Sequence, residues 1–275
     1  MFDFDPDEWM FFGLAVLVAG VGSWNYWNPI VRASRLRMRT AARSLMAAWP
    51  VPGLLLTYVV LQTLSDANVR GHFDYVLLFL VGAVAWLSIA NLAMSVLGIS
   101  SRDDAIERNN LAAAVAIGGW LLGAAVIYAF SNVGGGPTIW TTILPAFVAT
   151  IAFGAACLLI QIPGGTITDD ITIDRDLASG LRLAGALLSA ALILGRAAGG
   201  QWTSWSQTWV DLLRYCWPVW PLALLAGVVH RWLRPTPARP RPNELVCGVV
   251  PALGYLLVGV IAVGLTPHGY EPSKW

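Results

Sequence analysis

Charge is what this sequence has least of. Only 12% of its 275 residues are Asp, Glu, Lys or Arg, against roughly 25% in a soluble domain. Together with 57% hydrophobic residues and a mean hydropathy of +0.64, that shortage excludes a soluble enzyme and a disordered chain. A formal net charge of +1 selects no polyanionic partner, so nucleic acid is not expected. Cysteine is scarce as well. Cys157, Cys216 and Cys247 lie in apolar segments without C-x-x-C spacing, which points to neither a disulfide framework nor a zinc site. Enzyme signatures are missing: there is no Gly-rich phosphate loop ending in Lys-Ser/Thr, no H-E-x-x-H and no G-x-S-x-G, so no catalytic residue, metal ligand or cofactor is assigned. The start, Met1-Phe2-Asp3-Phe4-Asp5-Pro6-Asp7-Glu8, lacks the positive region of a secretory signal. The first apolar stretch is therefore expected to be retained as a span.

Long apolar runs are what the sequence has in abundance. A bilayer core takes about 20 apolar residues per helix, and eight such stretches are present, near residues 9–27, 45–64, 74–98, 110–130, 139–161, 177–198, 207–229 and 245–265. The expected fold is an all-α polytopic membrane bundle, one transmembrane domain over 1–275 with the lipid bilayer as its first partner. The basic residues set its orientation. Turns between odd and following even helices hold Arg32, Arg35, Arg37, Arg39, Arg43, Arg102, Arg108, Arg175, Arg231, Arg234, Arg239 and Arg241, whereas the other side holds only Arg70, Arg196 and Lys274. Positive loops stay cytoplasmic, so both termini are expected outside.

Self-similarity divides the chain further. Arg43-Ser44-Leu45-Met46-Ala47-Ala48, Asn109-Asn110-Leu111-Ala112-Ala113-Ala114, Arg175-Asp176-Leu177-Ala178-Ser179-Gly180 and Asn243-Glu244-Leu245-Val246-Cys247-Gly248 line up, their leucines 66, 66 and 68 residues apart. Gly53, Gly119 and Gly185 follow eight positions later in the first three copies, and Thr57, Gly123 and Ser189 twelve positions later. A fixed period of this kind marks repeated supersecondary units, here four hairpins over 1–66, 67–132, 133–200 and 201–275. The position before each leucine, Ser44, Asn110, Asp176 or Glu244, starts an even helix. Ser, Asn and Asp there accept bonds from free backbone N–H groups; Glu caps poorly, which leaves Asn243 to serve in the fourth copy. A second reading competes with capping: four helix starts beside Arg43, Arg108, Arg175 and Arg241 would form a ring suited to an anionic headgroup or ligand. Small residues four apart, Gly119 and Gly123, Gly185 and Ser189, Ala186 and Ala190, let backbones approach closely. The even helices are accordingly expected in the core and the bulkier odd helices at lipid or a subunit interface.

The segment Asn110-Leu111-Ala112-Ala113-Ala114-Val115-Ala116-Ile117-Gly118-Gly119-Trp120-Leu121-Leu122-Gly123 resembles the Asn-x-Ala-Ala…Gly-x-x-Leu-Gly signature of the domain of unknown function 350 family, the YjfL-like bacterial inner membrane proteins. Asp176-Leu177-Ala178-Ser179-Gly180 falls where that family's second signature belongs, with Asp176 in place of asparagine. The resemblance covers about residues 75–200, with one additional hairpin at each end. It implies a small bacterial inner membrane protein built of helical hairpins, and no catalytic residue to carry over.

Ionisable groups inside a membrane mark functional candidates. Arg182, five residues into the sixth helix, either snorkels to the cytoplasmic face or serves a ligand or gating role. Asp211 and Arg214 are three apart and suit a local ion pair. Asn91 suits an interhelical hydrogen bond, and His230 a surface cation at a helix C-terminus. The two middle turns are acidic. Asp103, Asp104 and Glu107 in one, and Asp169, Asp170, Asp174 and Asp176 in the other, leave net charges of −1 and −3, between outer turns of +5 and +3. They are either solvated loops or a mouth that concentrates cations or polyamines. Pro218 and Pro221 are expected to kink the seventh helix, and Trp202, Trp205 and Trp209 to form an interfacial belt. The functional expectation is a channel or transporter for small ions or polyamines, with Arg182, Asn91, Asn110 and Asp176 near the path, and with homo-oligomerisation. The alternative is a noncatalytic membrane component whose charged turns dock a cytosolic partner in a stress or defence response.

Overall fold

In the computed structural model the described residues are 4–36, 40–165, 167–238 and 242–265. Eight helices among them are long and apolar enough to cross a membrane: α1 (Pro6–Arg35), α2 (Ala41–Thr63), α3 (Phe73–Val96), α4 (Leu111–Ser131), α5 (Trp140–Gly164), α6 (Leu177–Ala198), α7 (Trp205–Leu233) and α8 (Leu245–Leu265). The sequence expectation misjudges the first most: α1 continues past Pro29 into the arginine-bearing turn, because Arg32 and Arg35 lower hydropathy without lowering helix propensity. Three spans are interrupted. In α2 the break falls at Trp49, before Pro50; in α7 it falls at Trp217–Pro218, between Trp205–Cys216 and Val219–Leu233, as the prolines require. The first turns of α8, Leu245–Val249, are π-helical.

Burial is concentrated in two helices. The most apolar stretches of α4 and α6 are each 78% buried, against 11% in α1 and 28% in both α2 and α8. The even helices are thus not all core. They pack in chain order, α2 on α4, α4 on α6 and α6 on α8, so the two at the ends of the row have one flank without a helix. Close approach is made by glycine. A Cβ on Gly119 would lie 2.5 Å from Ala184 Cα, and one on Gly185 2.5 Å from Ala252 Cα, so α4, α6 and α8 meet backbone to backbone. Odd helices cover this row, with α1 against α3 and α5 against α7.

Side-chain donors along the row bond to carbonyls of neighbouring helices. Trp49 Nε1 donates to Ala114 O at 2.9 Å, Trp120 Nε1 to Ala90 O at 2.7 Å, Tyr128 Oη to Phe79 O at 3.0 Å and Ser189 Oγ to Tyr255 O at 2.6 Å. In hydrocarbon no water can satisfy these groups, so each bond fixes one helix against the next. At the end opposite the arginine-rich turns, loops pair along the row: Gly134 N donates to Leu64 O at 3.2 Å and Gly200 N to Val133 O at 3.0 Å. Trp202 meets Trp205 edge to face and Trp205 stacks on Trp209 there, with centroids 6.1 and 6.2 Å apart.

Candidate functional site

The two middle turns at the arginine-rich end are folded segments. Ser101–Glu107 is a π-helical turn and Ile167–Thr172 a short α-helix. Each ends on a residue with positive φ, Asn109 at 53° and Arg175 at 56°, which turns the chain into the next span. Asn110 N then donates to Asp104 O at 3.2 Å, and Asp176 N to Asp170 O at 2.9 Å. Asn110 caps α4, its Oδ1 accepting from Ala112 N and Ala113 N, while its amide donates across to Ile171 O at 2.6 Å. Asp176 caps α6 by accepting from Ser179 N at 2.8 Å, and Asn243 Oδ1 accepts from Leu245 N and Val246 N at 2.9 and 3.1 Å. Ser44 does not cap. The helix begins a turn earlier, at Ala41 after Thr40, and so Ser44 is interior.

Behind the second turn lies a buried polar cluster. Arg182 is 1% exposed and His230 0%. His230 reaches the cluster because α5 and α7 cross closely: Gly164 and Gly227 face each other, and a side chain at Gly227 would run into the Ile160 carbonyl and the Pro163 ring. The His230 Nε2 lies 2.9 Å from Asp170 Oδ2. On the other side of the ring, Arg182 Nη2 is 3.2 Å from His230 Nδ1. The same Nη2 donates to Ser179 Oγ at 2.8 Å and stands 3.8 Å from Asp176 Oδ2, while Nη1 donates to the Cys247 carbonyl in the π-helical turn of α8. A guanidinium can only donate. His230 Nδ1 must therefore accept, which leaves the proton on Nε2, facing Asp170. Two carboxylates, Asp170 and Asp176, thus stand around one guanidinium and one imidazole. Arg182 Nε is buried without a hydrogen-bond partner among the described residues, as is the Tyr255 hydroxyl.

This geometry revises several sequence expectations. Arg182 does not snorkel, because Ser179, His230 and Cys247 hold its guanidinium inside. His230 is not a surface cation, since the α5–α7 crossing covers it. Asp170 and Asp104 are buried rather than solvated; Asp104 Oδ1 pairs with Arg108 at 3.0 Å. Asp103, Glu107, Asp169 and Asp174 are the exposed carboxylates. Asp211 and Arg214 form no ion pair among the described residues: Asp211 accepts from Gln207 Nε2 at 2.7 Å, and Arg214 lies over the Tyr215 ring at 5.9 Å. Asn91 makes no interhelical bond through its Oδ1, which is buried and unpartnered; it lies on α3, outside the cluster. Among the described residues no group of His, Cys, Asp or Glu is placed to hold a metal.

Arg43 and Arg108 do come together, but not in a fourfold ring. They line a separate cleft with Arg32 and Arg102. Arg175 is exposed and absent from that lining, and Arg241 lies outside the described residues. Arg102 is hydrogen-bonded to Glu107 at 2.9 Å, and that bond holds its guanidinium pKa above the ordinary value.

The family described as Domain of Unknown Function (DUF350) matches residues 60–198. The chain belongs to this family. The DUF350 match runs from the end of α2 through α6, so Asp170, Asp176 and Arg182 lie inside it, whereas His230 and Cys247 come from the helices beyond. No curated protein and no solved structure matches the chain significantly.

Proposed function

We propose that this DUF350 protein is a noncatalytic channel or transporter for small ions or polyamines, and that the Asp170–His230–Arg182–Asp176 cluster is the polar station on its path. One observation carries the reading: two carboxylates, an imidazole and a guanidinium are gathered out of solvent against the membrane-spanning helices. Charge in that setting is costly and is found chiefly where ions, protons or ligands pass. The two carboxylates are the groups a passing cation meets. The test is flux of potassium and of spermidine from liposomes holding the purified protein. Flux above that of empty liposomes, altered by Arg182→Ala, is the expected result; no flux for either cation at any voltage overturns the proposal.

We further read the chain as four hairpin repeats of about 66 residues. Parallel contacts favour this: Gly119 on Ala184 and Gly185 on Ala252, and the paired left-handed residues Asn109 and Arg175. The arginine-rich end is placed in the bacterial cytoplasm by the positive-inside tendency, with both termini outside. Thiol labelling of Arg102→Cys from inside and Arg70→Cys from outside checks this; the native cysteines are buried. A homo-oligomer is favoured by the exposed apolar face of α1, where Leu17, Val21 and Trp24 are 64–67% exposed. Docking of a cytosolic partner is the second reading, favoured by the exposed charges of the turns: Asp103, Glu107, Asp169, Asp174 and Arg175. Co-purification that is lost when these five are neutralised would support it.

A further inference from the structure

Helices α6 and α8 both start at the arginine-rich end and are bonded to each other at two levels. Near their starts Arg182 Nη1 donates to the Cys247 carbonyl; deeper in, Ser189 Oγ donates to the Tyr255 carbonyl at 2.6 Å. Between these two bonds α6 advances seven residues, from 182 to 189, and α8 eight, from 247 to 255. A π-helical turn, whose bonds span five residues instead of four, takes up a surplus of this kind, and α8 has one at Leu245–Val249.

Helical side chains lean toward the N-terminus of their own helix. Tyr255 therefore reaches from the deeper bond back toward the level of Arg182, and its hydroxyl lies within electrostatic reach of the guanidinium. Both residues are out of solvent, Arg182 1% and Tyr255 4% exposed. Two other buried tyrosines direct their hydroxyls to backbone carbonyls, Tyr26 to Met46 O and Tyr128 to Phe79 O. The Tyr255 hydroxyl and Arg182 Nε have no such partner among the described residues, although Nη1 and Nη2 of the same guanidinium are engaged. Inside a membrane bundle, leaving two polar groups unpaired is costly.

The chemistry of the two groups selects what pairs them. Arg182 Nε can only donate, whereas a hydroxyl donates or accepts, so the bridging atom must accept at least one bond. An anion could accept from both, but Asp176 Oδ2 already stands 3.8 Å from this guanidinium and Asp170 lies across the His230 ring, so a further negative charge is repelled. We propose that Arg182 Nε and the Tyr255 hydroxyl bind a water molecule between α6 and α8, so that the polar cluster behind the second turn continues as a hydrated site toward the middle of α8. A buried water is held by about two to four hydrogen bonds, and these two groups supply the first two. The site adds a polar group to the path proposed above, but its existence does not depend on conduction.

The experiment uses the full chain in nanodiscs. An X-ray pulse makes hydroxyl radicals from water where it is bound, and mass spectrometry reads the oxidation of adjacent rings. Tyr26 and Tyr128, 7% and 0% exposed with their hydroxyls on carbonyls, are internal references. We expect Tyr255 to be oxidised several-fold faster than either. Tyr255→Phe gives a second reading, because it removes one oxygen and keeps the ring. Loss of a hydroxyl that holds water leaves Arg182 Nε unpaired and lowers the thermal midpoint, whereas loss of a hydroxyl buried without a partner raises it; we expect the lower midpoint. Oxidation of Tyr255 no faster than that of the references, or a midpoint raised or unchanged in the variant, overturns the site. So does a wild-type midpoint that falls when chloride is replaced by gluconate while that of Tyr255→Phe does not, since the bound species is then an anion.

Discussion

Arg182 and Asn110 show how single side chains are placed. Each bonds within its own helix start and also reaches a neighbouring segment: Arg182 donates to Ser179 Oγ and to the Cys247 carbonyl, while Asn110 caps α4 and donates to the Ile171 carbonyl. Removing one partner of a buried charged set leaves the others uncompensated, which costs roughly 3–5 kcal/mol. Arg182→Ala should therefore lower the thermal midpoint in detergent well below the wild type, and the loss should be partly restored by adding Asp176→Asn, which removes the orphaned carboxylate. For Asn110→Ala the lost cap alone is worth about 1 kcal/mol, whereas Ser44→Ala, inside its helix and not capping, should leave the midpoint near the wild type. Denaturation of the three variants side by side checks the ranking. The roles of Asn110 and Asp176 as caps were legible because a cap depends on residues two or three positions away. The surroundings of Arg182 were not, because His230 and Cys247 are 48 and 65 residues distant and are delivered by the packing of α7 and α8.

At the scale of the element, small residues decide which helices touch. Gly119 on α4 and Gly185 on α6 stand against alanine backbones, and a methyl group at either must push two helices apart. Overpacking of this kind costs roughly 1–3 kcal/mol. Gly119→Ala should destabilise by that order, while Gly13→Ala on α1, where nothing lies within 4 Å, should be neutral or mildly stabilising because alanine favours helix. Paired melting curves separate the two. The positions of the eight spans follow from local hydropathy and were legible to within a few residues, apart from α1. Which even helices are central did not follow from it. The exposure of α2 and α8 comes from standing at the ends of a row, a property of the order in which helices stack. The break inside α7, by contrast, was foreseeable: Pro218 lacks a backbone donor wherever it sits.

For the whole molecule, the arginine-rich end holds two regions of different side-chain make-up. The cluster behind the second turn is buried and gathers two carboxylates, an imidazole and a guanidinium; the cleft beside the first turn is lined by four arginines and one glutamate. The total charge of the chain, +1, conceals this separation, and the turn-by-turn count of charges only hinted at it, because it could not show which carboxylates are buried. A path for cations that passes the acidic cluster is the central functional claim. Its most direct test is cation flux in liposomes with three proteins in parallel: wild type, Arg182→Ala, and Trp49→Phe, which removes the bond from Trp49 Nε1 to Ala114 O at a distance from the cluster. Wild-type flux above empty liposomes, changed by Arg182→Ala and kept by Trp49→Phe, is predicted. Absence of flux in the wild type, or equal effects of the two substitutions, would contradict a path through the cluster.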